Sequence, residues 1–95
     1  MFVILLRFSG NKARAGAFMD GHKAWLSRGF DDGIFLMSGS LQPNAGGAIL
    51  AHNTTMDELR TRVGEDPFVA ENVVNAEVFE ITPSRAGRQL DFLLA

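Results

Sequence analysis

The chain has 95 residues, 46% of them apolar and 21% charged, and its mean hydropathy is +0.06. This size and composition predict one small globular domain and exclude an extensively disordered chain. The absence of cysteine excludes disulfides. The net charge is −2 and the basic residues are scattered, which predicts no nucleic-acid partner, and the apolar runs are too short for a membrane span. We therefore predict a cytoplasmic protein with no membrane partner.

The N-terminal third predicts a strand followed by a helix. Phe2–Phe8, FVILLRF, is almost entirely apolar, which is typical of a strand buried on both faces at the centre of a sheet. From about Ala13 to Gly29, apolar residues and His22 recur at steps of three and four, which predicts a helix with Lys23 on its opposite, solvent-facing side. Gly21 lowers helix propensity unless another part of the chain approaches the backbone there.

The middle of the chain predicts a hairpin and a second helix. Gly33–Leu41 and Ala48–Asn53 are the two strands, and the QPNAGG segment between them has turn composition. Thr55 with Glu58 forms a capping-box pattern that starts the helix, and Gly64 is placed to end it.

The last third predicts a short helical turn, a strand and a tail. Asp66 before Pro67 has the pattern of an N-cap followed by proline at the first helical position. The turn runs through Glu71, and Val73–Thr82 is the fourth strand. We expect residues 1–83 to form the domain and residues 84–95 to form a tail that contributes to a dimer interface.

The element order βαββαβ predicts an α+β, ferredoxin-like fold, with a four-stranded antiparallel sheet and both helices on one face. The other face would then expose the apolar side of the first strand to water. A second copy of the chain, packed sheet to sheet, is the simplest cover. We therefore predict a homodimer.

His22 and Asp66 are the candidate catalytic residues. His22 lies on the apolar stripe of the first helix, either as a core histidine with one hydrogen bond or as a general acid/base. Asp66 either only caps a helix or also accepts a hydrogen bond from the imidazole and orients it. Asp31 and Asp32 are alternative partners for His22, or simply turn residues.

Other kinds of site have weaker support. Side chains alternate along the predicted third strand, and the position of His52 in it is typical of a surface or interface residue. No ligand spacing supports a metal site that combines His52 with His22. The glycines around Gly47 precede a strand, not a helix, so they do not form a phosphate-binding loop. We expect no metal and no cofactor.

The order of several short motifs resembles the YCII-related (YciI-like) family. These are the histidine His22 on the first helix, the pair Ser38-Gly39 at the end of a strand, and Asp66-Pro67-Phe68 before the last strand. The resemblance spans roughly residues 2–82 and implies a dimeric α+β barrel with a His22–Asp66 dyad. The family is similar to a dehydrochlorinase of hydroxylated aromatic rings, which implies lyase-like proton transfer.

Two positions depart from the family pattern. Members often have an arginine three residues before the histidine, where this chain has Met19, so the resemblance supplies no anchor for an acidic substrate. Members often have Gly-Pro after the second strand, where this chain has Gly39-Ser40, so the pocket is expected to differ in shape.

The leading hypothesis is therefore a small dimeric enzyme that transfers protons without a cofactor, with His22 as general acid/base and Asp66 as its orienting partner. A small aromatic or unsaturated molecule would bind in a pocket lined by four residues: Trp25, Ser38, Gly39 and Phe68. One alternative is a non-catalytic dimeric module that binds a small ligand or a partner chain. The other, by fold analogy alone, is a cofactor-free monooxygenase.

Overall fold

A computed structural model describes residues 1–94 of the chain. Four strands form one antiparallel sheet: Phe2–Phe8 (β1), Phe35–Leu41 (β2), Gly46–Ala51 (β3) and Val74–Glu80 (β4). Three α-helices connect or precede them: Ala15–Asp31 (α1), Met56–Gly64 (α2) and Pro67–Ala70 (α3). Two 3₁₀ helices span Lys12–Arg14 and Arg88–Leu94.

The sheet has the strand order β2-β3-β1-β4, with every neighbouring pair antiparallel. β1 lies inside the sheet, between β3 and β4, as its apolar sequence predicts. The predicted ferredoxin-like α+β fold is confirmed.

The two faces of the sheet differ in burial because side chains alternate along a strand. On one face, Phe2, Ile4 and Leu6 of β1 are buried in a core that includes Trp25 of α1 and Leu59 of α2. On the other face of β1, the side chains are half-buried or exposed. β1 is therefore buried on only one face within a single chain.

Element boundaries differ from the predicted ones by at most two residues, for local reasons. α1 starts at Ala15 because the preceding residues form a 3₁₀ helix, and it ends where Gly33 adopts a φ of +74°. β3 starts at Gly46, where a Cβ would lie 1.9 Å from the carbonyl oxygen of Leu6. Only glycine permits this close approach of the two strands.

Candidate functional site

His22 and Asp66 lie 44 positions apart in the chain, and the fold brings their side chains into contact. Nδ1 of His22 lies 2.8 Å from Oδ1 of Asp66. The Asp66 side chain is fully buried, and that of His22 is 14% exposed. The pair is therefore shielded from water on the aspartate side and open on the histidine side.

The start of α3 positions Asp66. Its Oδ1 also accepts a hydrogen bond from the backbone N–H of Phe68 at 3.0 Å, so Asp66 caps the helix, and Pro67 occupies the first helical position. Gly21 of α1 faces Pro67, and a Cβ there would lie 3.0 Å from the proline Cγ. The missing side chain of Gly21 lets α1 and α3 approach closely enough for the His22–Asp66 contact.

The hydrogen bond determines which nitrogen of His22 is free. An ionised carboxylate only accepts hydrogen bonds, so Nδ1 of His22 must carry the donated proton. In the neutral ring, Nε2 is then left as the acceptor. The free nitrogen is therefore the one that can take a proton from a bound molecule.

Two aromatic side chains hold the His22 ring in place. Phe68 stacks on it at a centroid distance of 4.1 Å and an interplanar angle of 5°. Trp25 lies 5.8 Å from it at an angle of 28°, and the indole Nε1 donates a hydrogen bond to the carbonyl oxygen of Arg62 at 2.9 Å. Because Trp25 is fixed to α2, the orientation of His22 depends on three helices.

A cavity of about 310 Å³ opens beside His22, between α1 and the sheet. Ser38, Gly39 and Phe68, three of the four residues predicted to bind substrate, line it. Trp25, the fourth, is buried behind His22 in the core and is not among the lining residues.

The helical wall of the cavity consists of neighbouring positions on one face of α1: Met19, His22, Lys23 and Leu26. Lys23, predicted on the helix side opposite the apolar stripe, is exposed as expected, and it also lines the cavity. The spacing of these positions, three and four residues apart, is a helical-face signal that was present in the sequence. Across the cavity, β2 contributes Ser38 and Ser40.

The other candidate residues lie elsewhere. Asp32, considered as a partner for His22, forms an ion pair with Arg62 at 2.9 Å. His52 follows β3 and contacts Phe92 edge to face, with 5.6 Å between the ring centroids. Within residues 1–94, no group of three or more His, Asp or Glu side chains is placed to hold a metal ion.

No protein-family model and no curated protein matches this chain. Among solved structures, it is similar to 5-chloro-2-hydroxyhydroquinone dehydrochlorinase (TftG) from Burkholderia phenoliruptrix AC1100, solved in complex with 2,5-dihydroxybenzoquinone. The TM-score is 0.69 at 16% sequence identity, over 94% of this chain and 98% of that one. At this identity the likeness establishes the shared fold. No helix among residues 1–94 is long and apolar enough to cross a membrane.

Proposed function

We propose that this chain is a YCII-related enzyme of the dimeric α+β barrel type, which moves a proton on a small hydroxylated aromatic molecule without a cofactor. The observation that carries the proposal is the 2.8 Å contact between His22 and Asp66 at the wall of a cavity. The buried carboxylate holds Nδ1, and Nε2 remains for the substrate.

The proposed step is a proton transfer at a ring hydroxyl. The O–H bond breaks, an N–H bond forms at Nε2 of His22, and the electron pair stays on the ring oxygen. The imidazolium formed lies beside the Asp66 carboxylate, which stabilises its charge. The proton then returns from Nε2 to a ring carbon, which gives a keto tautomer. Where that carbon carries a leaving group such as chloride, loss of a second hydroxyl proton to Nε2 supplies the electrons that expel the leaving group with its bonding pair, as in a lyase.

The size and polarity of the cavity suit a single substituted ring. About 310 Å³ lies at the lower end of the range for small-molecule sites. Leu6, Leu26 and Ile49 supply apolar wall, while His22 and Ser38 supply polar groups on opposite sides. The ligand of the dehydrochlorinase, 2,5-dihydroxybenzoquinone, is a ring of this kind.

Solvent exchange at a ring carbon tests the proposal, because it detects proton transfer whichever product the ring later forms. We expect the protein to accelerate deuterium incorporation into anaerobic 1,2,4-trihydroxybenzene in D₂O, followed by proton NMR. His22→Gln should slow that exchange about 10²–10⁴-fold, because the general base is lost. His52→Gln, at the histidine outside the site, is the matched control and should exchange like the wild type.

Equal exchange rates in His22→Gln and the wild type would rule out His22 as the base. Binding of the ring without any accelerated exchange would instead support the non-catalytic binding module.

The proposed homodimer rests on the face of the sheet that carries no helix. Val3 of β1 pairs with Leu50 of β3 and Phe79 of β4, so these three side chains share that face. Phe79 is 48% exposed, and Met37, next to Leu50, is 47% exposed. Exposed apolar side chains grouped on one face are typical of an interaction surface, and a second copy would cover them with the same apolar surface.

A further inference from the structure

Lys23 lies at the mouth of the cavity, one position after His22 in α1. Its side chain is exposed, yet it is among the residues that line the cavity. A lysine has a flexible four-carbon stem and a compact positive charge, so it can follow a ligand that binds beside it.

Lys23 has no carboxylate partner within the described residues. The ion pairs of residues 1–94 use Arg7, Arg14, His22 and Arg62, and none uses Lys23. The chain's other lysine, Lys12, lies over the ring of Phe8 at 4.8 Å.

The cavity holds no negative charge that would compete for the Lys23 ammonium group. Among its lining residues, none is Asp or Glu, and the only ionisable ones are His22 and Lys23. Asp66 is fully buried behind His22 and is hydrogen-bonded to it. The free charge at the mouth of the cavity is therefore positive, which favours a negatively charged ligand.

We infer that Lys23 determines substrate specificity by binding the anionic oxygen of a planar ring, so that the substrate class is an acidic phenol, enol or hydroxyquinone. This inference rests on the proposed function, because it places the ring in the cavity beside His22. The ring lies between α1 and β2, with one oxygen at Nε2 of His22 and its charged oxygen at the Lys23 ammonium group.

Two ring probes of similar size separate charge from shape. 2,5-Dihydroxybenzoquinone is a vinylogous acid and is ionised at neutral pH, whereas hydroquinone is neutral there. Dissociation constants for both would be measured by titration calorimetry, with histidine ring NMR signals to locate each ligand. The variants are Lys23→Met and, as the matched control for net charge, Arg60→Met on the exposed side of α2.

We expect Lys23→Met to weaken binding of the anionic quinone about five- to tenfold, and Arg60→Met to leave it unchanged. Binding of hydroquinone should be the same in all three proteins. Added salt should weaken quinone binding to the wild type and have little effect on Lys23→Met.

Three outcomes would overturn the inference. An equal loss of affinity for both rings in Lys23→Met would mean that Lys23 only shapes the cavity. If Lys23→Met leaves the quinone affinity unchanged and both rings still shift the His22 signals, Lys23 does not bind the anionic oxygen. The proposed function would then stand without it. Binding of neither ring to the wild type would contradict the proposed ligand class itself, and Lys23 with it.

Discussion

One oxygen atom of Asp66 serves two donors that belong to different parts of the fold. Oδ1 accepts the backbone N–H of Phe68 and Nδ1–H of His22, whereas Oδ2 is buried without a hydrogen-bond partner among residues 1–94. A buried acceptor without a partner costs about 1–3 kcal/mol. The two hydrogen bonds to Oδ1 fix the orientation of the carboxylate, and the carboxylate in turn orients the His22 ring.

The tautomer of His22 is a direct consequence of this contact. In the neutral ring of the wild type, we expect the proton on Nδ1 and the lone pair on Nε2, because an ionised carboxylate cannot donate. Asp66→Asn should lower the population of that tautomer, since an amide can donate to Nδ1 as well as accept from it. Long-range ¹H–¹⁵N correlation spectra of the imidazole rings distinguish the two tautomers.

His52 is the internal control in the same spectra, because it lies outside the site, and its signals should not change in Asp66→Asn. A wild-type His22 with its proton on Nε2 would contradict the assignment, and Asp66 would then be only a helix cap.

At the level of elements, the chain contains two N-caps with different tasks. Oγ1 of Thr55 accepts the backbone N–H of Glu58 at 3.2 Å at the exposed start of α2. Asp66 caps the four-residue helix α3 while fully buried against α1. Such a short helix is not stable by itself, so the Asp66 cap forms part of the packing between α1 and α3.

The free energy of unfolding should reflect this difference. Thr55→Ala should cost about 0.5–1 kcal/mol, as for an ordinary exposed cap. Asp66→Ala should cost about 2–4 kcal/mol, because it also leaves buried donors without a partner. Urea denaturation of both variants measures the two costs. Equal costs would mean that the His22 contact adds nothing to stability beyond the cap.

The sequence contains enough information to predict the elements, because each type has its own period. The apolar run of β1 and the capping pattern at Thr55 are local, and so the element order and the fold could be predicted. That Lys23 lines the cavity could not be predicted in this way. Helical periodicity shows which residues share a face, but it does not show which face of the helix borders a cavity. Only the packing of α1 on the sheet decides this.

The pairing of His22 with Asp66 illustrates the same limit at the site. A histidine on an apolar stripe and an aspartate before proline are each compatible with a purely structural role. Their contact depends on α3 folding back against α1 at Gly21, which is a tertiary event across 44 positions of chain. Family resemblance predicted the pair; local patterns alone left Asp31 and Asp32 as alternative candidates.

At the scale of the whole molecule, the C-terminal 3₁₀ helix leaves apolar surface uncovered. Leu90, Phe92 and Leu94 are each between 44% and 48% exposed. Phe92 contacts the ring of His52 edge to face, so the segment is tied to the domain just after β3 while these three side chains remain exposed. We expect this apolar surface to contribute to the interface with a second copy of the chain.

The proposed dimer can be tested at Phe79, on the sheet face that carries no helix. Phe79→Lys should fold, because the side chain is 48% exposed in the single chain. In a twofold dimer each substitution occurs twice in one interface. With about 2 kcal/mol lost at each aromatic contact, dissociation should become about a thousandfold easier.

Phe30→Lys is the matched control, because Phe30 is also an exposed phenylalanine, at 41%, but lies on α1. Sedimentation velocity at micromolar concentration should give two-chain particles for the wild type and Phe30→Lys, and single chains for Phe79→Lys. A monomeric wild type would contradict the dimer. A dimer in all three proteins would place the interface away from the sheet, on a surface that includes neither phenylalanine.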